Sequence, residues 1–207
     1  MSAAVLLHTF IVFVPNVAIA DAAEQLGICQ TEDTEVKQRL TACDAVIGNL
    51  TEPTALRAEA LLNRGIMREE TGNLTDAIAD YAAAIALNPE YPTLYEHRGL
   101  AQAKLGRRNA ALDDLAAAIR LAPENAELHA SRAMVHILLG DHSRALDDLA
   151  EAIRIAPNDA DYYAQRGQVY LRLGSHAKAS ADVRKALQLE PDHELATQTL
   201  TELRKHN

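Results

Sequence analysis

Tryptophan is absent from this chain, aromatic residues of any kind make up 4% of it, and only two of its 207 residues are cysteines. Cys29 and Cys43 form no CxxC motif, which sets aside dithiol redox chemistry, and they have no neighbouring histidines with which to hold zinc. Positive charge is also short: 20 Lys and Arg against 29 Asp and Glu leave a net charge of −9. That balance argues against a nucleic-acid surface, which needs a basic stripe, and against docking on anionic lipid. The doublets Arg107-Arg108, Arg184-Lys185 and Arg204-Lys205 are isolated and read as solvated faces. No GxSxG, P-loop or HExxH motif occurs, so the sequence offers no catalytic residue, cofactor site or metal site. What is left is 48% hydrophobic and rich in Ala and Leu, the composition of one folded helical domain.

Long apolar runs are missing too, with one exception at the start. Ala3 to Val14 is apolar apart from His8 and Thr9, Pro15-Asn16 breaks the run, and Ala18-Ile19-Ala20 offers a small-x-small cleavage site before Asp21. This fits a secretory signal peptide over residues 1–20 and is too short and interrupted for a membrane span. The first basic residue is Lys37, so the n-region lacks its usual charge; an uncleaved anchor and a start codon placed elsewhere are the alternatives. In an exported, most naturally periplasmic chain, an even cysteine count reads as a Cys29–Cys43 disulfide. In a reduced compartment the same pair is two small apolar residues. A bridge closing a loop of this length stabilises by roughly 3 kcal/mol in the chain-entropy model.

The dominant positive feature is a period. Pro89, Pro123, Pro157 and Pro191 fall 34 residues apart, and each closes a block carrying the same marks. With the proline as position 32, the blocks are 58–91, 92–125, 126–159 and 160–193. Position 15 is Gly (Gly72, Gly106, Gly140, Gly174), position 7 is Arg (Arg64, Arg98, Arg132, Arg166) and position 23 is Asp (Asp80, Asp114, Asp148, Asp182). A strict repeat of this length predicts stacked helical hairpins. Helix A covers about positions 1–14 and helix B about 18–31, with the glycine ending A, Asn73, Asp141 or Ser175 capping B, and the proline stopping B. Position 8 is small (Gly65, Gly99, Ala133, Gly167) and positions 20 and 27 are always Ala. These let two helices approach, while Tyr81, Leu115, Leu149 and Val183 at position 24 fill the space opposite position 8. Leu87, Leu121, Ile155 and Leu189 at position 30 are placed to pack on the next block.

This pattern of small 8, Ala 20, large 24, Ala 27 and Pro 32 resembles the tetratricopeptide repeat family over residues 58–193. The resemblance implies an all-α, right-handed α-solenoid of about four hairpins, with helix A lining a concave groove. Residues 194–207 then form a C-terminal capping helix, with Leu195, Ala196, Thr199, Leu200 and Leu203 at helical spacing. Residues 21–57 form an N-terminal cap, a degenerate leading repeat whose second helix is Glu35 to Ile47 and whose preceding segment is pinned by Cys29. Residues 48–57 read as the linker into the first full block. This cap resembles that of small exported tetratricopeptide proteins of Gram-negative bacteria, which carry a similar cysteine pair.

The remaining residues are divided between scaffold and recognition. Arg at 7 and Asp at 23 lie at similar heights in an antiparallel hairpin, so each block is expected to hold an ion pair; an arginine ladder facing an acidic ligand is the alternative. The histidines, among them His129, His136, His142 and His176, lack metal-site spacing and read as solvated or groove-lining. In the family, positions 2, 5, 9 and 12 face the groove. Here these supply Leu62, Ile66, Glu96, Leu100, Ala103, Ala130, Met134, Ile137, Gln168 and Leu171, an apolar strip with an acidic border from Glu59, Glu127 and Asp161. The family's carboxylate clamp needs Lys and Asn in the groove and is missing. The expected function is a non-enzymatic adaptor that takes a peptide or helix with basic flanks around an apolar stripe, with no cofactor, no nucleic acid and no membrane span after cleavage. The alternative is a structural scaffold or self-associating module of a cell-envelope complex, in which the strip buries itself or forms a dimer contact.

Overall fold

A computed structural model describes residues 17–31 and 35–205. They form eleven helices and, among the described residues, no strand. These are α1 (Val17–Gln30), α2 (Val36–Gly48), α3 (Thr54–Glu70), α4 (Leu74–Leu87), α5 (Pro92–Lys104), α6 (Arg108–Leu121), α7 (Ala126–Leu138), α8 (His142–Ile155), α9 (Ala160–Arg172), α10 (His176–Leu189) and α11 (Glu194–Lys205). Of the expected signal peptide, residues 1–16 lie outside the described residues, and α1 runs through Ala20 and Asp21. No described helix is long and apolar enough to cross a membrane.

Each hairpin turns on its position-15 glycine. Gly72, Gly106, Gly140 and Gly174 have φ of 80°, 73°, 74° and 69°, the left-handed region in which a Cβ is costly. The same double hydrogen bond closes every turn: Asn73 N–H donates to Arg68 O (2.7 Å) and Gly72 N–H to Glu69 O (3.0 Å), with equivalents at 106–107, 140–141 and 174–175. This is the Schellman arrangement, which satisfies carbonyls that the helix end would strand. Asn73 and Asp141 then cap the next helix by accepting from Asp76 N–H and Arg144 N–H, while Ser175 caps without a side-chain bond. The even-numbered helices α4 to α10 stop at position 30, because the residue before each proline is forced out of the α region; φ there lies between −142° and −125°.

Packing follows from side-chain size. The position-20 and position-27 alanines (77, 111, 145, 179 and 84, 118, 152, 186) are fully buried. A Cβ built on Gly65 would run into the Tyr81 ring, and one on Gly167 would meet Val183 Cγ2 at 3.2 Å. One core cluster joins α3, α4 and α5 through Leu61, Tyr81 and Leu94; another joins α9, α10 and α11 through Ala164, Val183 and Leu203. Pairs α3/α4, α5/α6, α7/α8 and α9/α10 therefore stack in chain order, with α11 over the last face.

Within each hairpin the position-7 guanidinium grips the position-23 carboxylate with two bonds: Arg98 Nε and Nη2 reach Asp114 at 2.8 and 2.6 Å, Arg132 reaches Asp148 at 2.9 and 2.6 Å, and Arg166 reaches Asp182 at 2.8 and 2.9 Å. Arg64 holds Asp80 in the same way and also reaches Asp44 of α2 at 2.6 Å, which ties the hairpin to its neighbour. The four aspartates are buried and the arginines half-buried, so this charge is neutralised inside the scaffold.

The amino-terminal end departs from expectation at its linker. The segment pinned by Cys29 is itself helical, so α1 and α2 form a leading hairpin, joined by the Cys29–Cys43 disulfide and packed through Leu26, Val46, Ala60 and Met67 onto α3. The linker is shorter than 48–57: Gly48 still belongs to α2, and α3 starts at Thr54 with Pro53 as its N-cap, leaving 49–53. Proline is well suited there, since the first helical turn needs no N–H from it.

Candidate functional site

The odd-numbered helices α1 to α9 form one face of the stack, and polar side chains stitch most of its seams. Gln30 donates from α1 to Glu59 on α3 (2.7 Å), Lys104 on α5 to Glu69 on α3 (2.6 Å), and Ser131 on α7 to Glu96 on α5 (2.6 Å). His193, just before α11, lies 3.0 Å from Asp161 on α9. Between α7 and α9 no hydrogen bond or ion pair is found among the described residues. A hollow of about 380 Å³ opens at that seam instead, lined by Glu127, Ala130, Ser131 and Met134 of α7 and by Asp159, Asp161, Tyr162 and Gln165 at the start of α9.

The apolar strip expected along this face is mostly consumed by packing. Leu62 and Ala130 are buried, at 7% and 6% exposure. Ile66, Leu100, Ala103, Ile137 and Leu171 are half-buried against the seam clusters, and Gln168 and Glu96 are half-buried as well. Met134 alone of the ten stands well exposed, at 47%. The hollow is lined instead by Ser131 and Gln165 at position 6, Tyr162 at position 3 and the cap Asp159, none of which the position rule picked out. A signal existed: position 6 is polar in every block, as Asn63, His97, Ser131 and Gln165.

Negative charge is concentrated here. Burial raises the Glu96 carboxyl above its usual range, its Ser131 hydrogen bond opposes this, and repulsion from Glu127 adds to it. Burial also raises the Tyr162 phenol, followed by the negative fields of Asp159, Glu127, Asp161 and Glu96. His97 is held below its usual value mainly by burial, against the pull of Glu69 and Glu127.

Histidines turn out to be more buried than a solvated reading allows. His129 and His136 are 7% and 6% exposed and flank the Arg132–Asp148 pair, with His129 Nε2 at 3.0 Å from Pro123 O. His129 stands at position 4, where two other hairpins place Tyr95 and Tyr163 against Arg98 and Arg166. No set of three or more potential metal ligands is gathered among the described residues. A larger hollow, about 480 Å³, lies where α6, α7 and α8 meet, but Arg132 and Arg144 there answer Asp113, Asp147 and Asp148 with charge of both signs.

Comparison with known proteins agrees with this architecture. Models described as TPR repeat and tetratricopeptide repeat match residues 69–106, 97–160 and 160–193, a run covering more than half of the chain. The chain belongs to the tetratricopeptide repeat family. Among solved structures of this repeat class, the crystal structure of MamA protein is 24% identical with a TM-score of 0.68, covering 83% of this chain and 92% of that one. YrrB, described as a TPR protein with an unusual peptide-binding site, is 22% identical with a TM-score of 0.68, covering 89% and 92%. A thermophilic TPR protein of Thermus thermophilus, TTC0263, is 22% identical with a TM-score of 0.69, covering 88% and 98%. These likenesses establish the tetratricopeptide fold. No match was found among curated proteins.

Proposed function

We propose that this tetratricopeptide protein is a non-enzymatic adaptor that holds a segment of a partner protein against the odd-numbered helices, seated at the α7/α9 seam. The observation that carries this reading is the hollow at that seam. Every other junction on the face is stitched by a polar contact, whereas this one is left open, lined by carboxylates that no Lys or Arg among the described residues answers. YrrB is a TPR protein with a peptide-binding site, and the shared fold supports the same kind of use here. Photo-crosslinking residues introduced in place of Met134 and Gln165 test it, with Arg120 and Glu151 on even-numbered helices as controls. Crosslinks to another protein from 134 and 165 but not from 120 and 151 are the expected result. Equal capture from both faces overturns the reading, and crosslinks to a second copy of the chain replace it with a self-associating scaffold.

The proposed location is outside the cytosol, after cleavage between Ala20 and Asp21, most naturally in a periplasm. The Ala18-Ile19-Ala20 pattern and the Cys29–Cys43 bridge support it together. Mass spectrometry of the native protein checks this: a mature chain starting at Asp21 is expected, and an intact Met1 terminus with free thiols overturns it.

A further inference from the structure

We propose that the α7/α9 hollow is a pocket for one basic side chain, an arginine or lysine carried next to an apolar residue on the partner segment. The inference rests on the groove reading above and reverses the sequence expectation, in which an apolar stripe was the seat and basic residues only its flanks. Four carboxylates bear on the hollow: Glu127, Asp159 and Asp161 line it, and Glu96 reaches its wall through Ser131 at 2.6 Å. None of the four forms an ion pair with Lys or Arg among the described residues, although the same chain gives an arginine to every position-23 aspartate. Asp161 has His193 at 3.0 Å, and His193 Nδ1 lies 3.4 Å from the Ala196 N–H as its acceptor. With Nδ1 accepting from that N–H, Nε2 donates to Asp161, so Asp161 holds an imidazole N–H but no guanidinium or ammonium.

Tyr162 supplies an independent pointer. The residue is only 9% exposed and its ring packs among Ala126, Ala130 and Ala152, yet it lines the hollow and its hydroxyl has no hydrogen-bond partner among the described residues. An unpartnered hydroxyl on a residue that lines an acidic hollow offers an acceptor oxygen to the N–H of a cation. A basic side chain satisfies each wall at once: its nitrogens donate to the carboxylates, and its methylene stem lies on Met134. The volume, about 380 Å³, stands at the lower end of ligand pockets, room for a side chain rather than for a helix. A bare metal ion fits less well, since the described residues gather no set of three or more ligands.

The probe is a random peptide library displayed on phage and panned against the folded protein, with a photo-crosslinker at residue 165 marking peptides seated in the groove. Selected peptides are expected to carry Arg or Lys beside an apolar residue. They should bind roughly ten- to hundredfold more weakly to Glu127→Gln/Asp161→Asn, the loss of charge-assisted bonds, and should weaken as salt is raised. Glu127→Gln alone, at an exposed side chain, repeats the test without touching the His193 contact. Peptides that crosslink from 165 without basic enrichment, and that bind the variants equally, overturn this inference and leave the groove reading standing. A library that yields no peptide crosslinked from 165 overturns both.

Discussion

At Gly65 a single missing carbon decides how close α3 and α4 come. Gly65→Ala gains helix propensity of up to ~1 kcal/mol, but its methyl overlaps the Tyr81 ring, which is fully buried and hydrogen-bonded to Glu69 at 3.0 Å. The net expectation is a loss of about 1–2 kcal/mol, since overpacking costs about 1–3. Gly167→Ala meets Val183 Cγ2 at 3.2 Å and the Ala179 carbonyl at 3.4 Å, a milder crowding that the propensity gain offsets, and should be close to neutral, as the native Ala133 opposite Leu149 already illustrates. Urea midpoints of the two variants measure the contrast, and equal losses would contradict it. A second residue-scale effect is acid sensitivity at His136. Burial holds this imidazole below its usual 6.5, Asp148 and Asp141 oppose that, and Arg132 and Arg144 reinforce it. The unfolded chain then binds more protons in the window below 6.5, so stability present above that pH is lost as pH falls through it. His97, also lowered, has the same sign, whereas Glu96, raised, contributes stability below 4.5 that is lost as pH rises. His136→Gln should flatten part of the stability decline between about pH 7 and 5; an unchanged decline removes His136 as its source.

Among elements, the leading hairpin was the least legible in the sequence. α2 announced itself through Leu40, Cys43, Val46 and Ile47, but α1 straddles the cleavage-site pattern, and its residues lack the 34-residue marks that located the other helices. The position rule also gave α3 too late a start, because the repeat is counted from its packing residues and Thr54 to Arg57 lie before them. Since α1 and α2 are joined by a bridge over 14 residues, reduction should loosen this hairpin by about 3 kcal/mol. The position-15 turns and Arg–Asp pairs of the later hairpins do not depend on it. Hydrogen exchange with and without reductant should show faster exchange in α1 and α2, spreading to α3 where Ala60 and Met67 lose cover, with α5 to α10 unchanged. Uniform acceleration across all helices would show instead that the stack unfolds as one unit.

For the molecule as a whole, stability is a sum of hairpins and the seams between neighbours. Deleting α11 uncovers Ala164 and Val183 and removes the buried Leu203, at a cost on the order of 3 kcal/mol or more. α9 and α10 should then fray first in hydrogen exchange while α3 to α6 keep their protection; protection lost equally along the stack would refute the neighbour-only account. At this scale the sequence alone determined the hairpin plan. Gly at 15, Pro at 32, Ala at 20 and 27 and the Arg–Asp pair each act within one hairpin, through backbone φ, a missing N–H or side-chain size, and such causes repeat wherever the residues do. Only the tertiary structure decided which groove residues stay free. Leu62, Ala130 and Leu100 look alike in sequence to Met134, and whether each is covered depends on how neighbouring hairpins close over it. The same holds for charge: the repeat pairs Asp148 with Arg132 in advance, but only the fold sets Asp161 at an open seam, with His193 as its contact. Local conformational rules set the hairpins, and the distances between non-neighbouring side chains set the site.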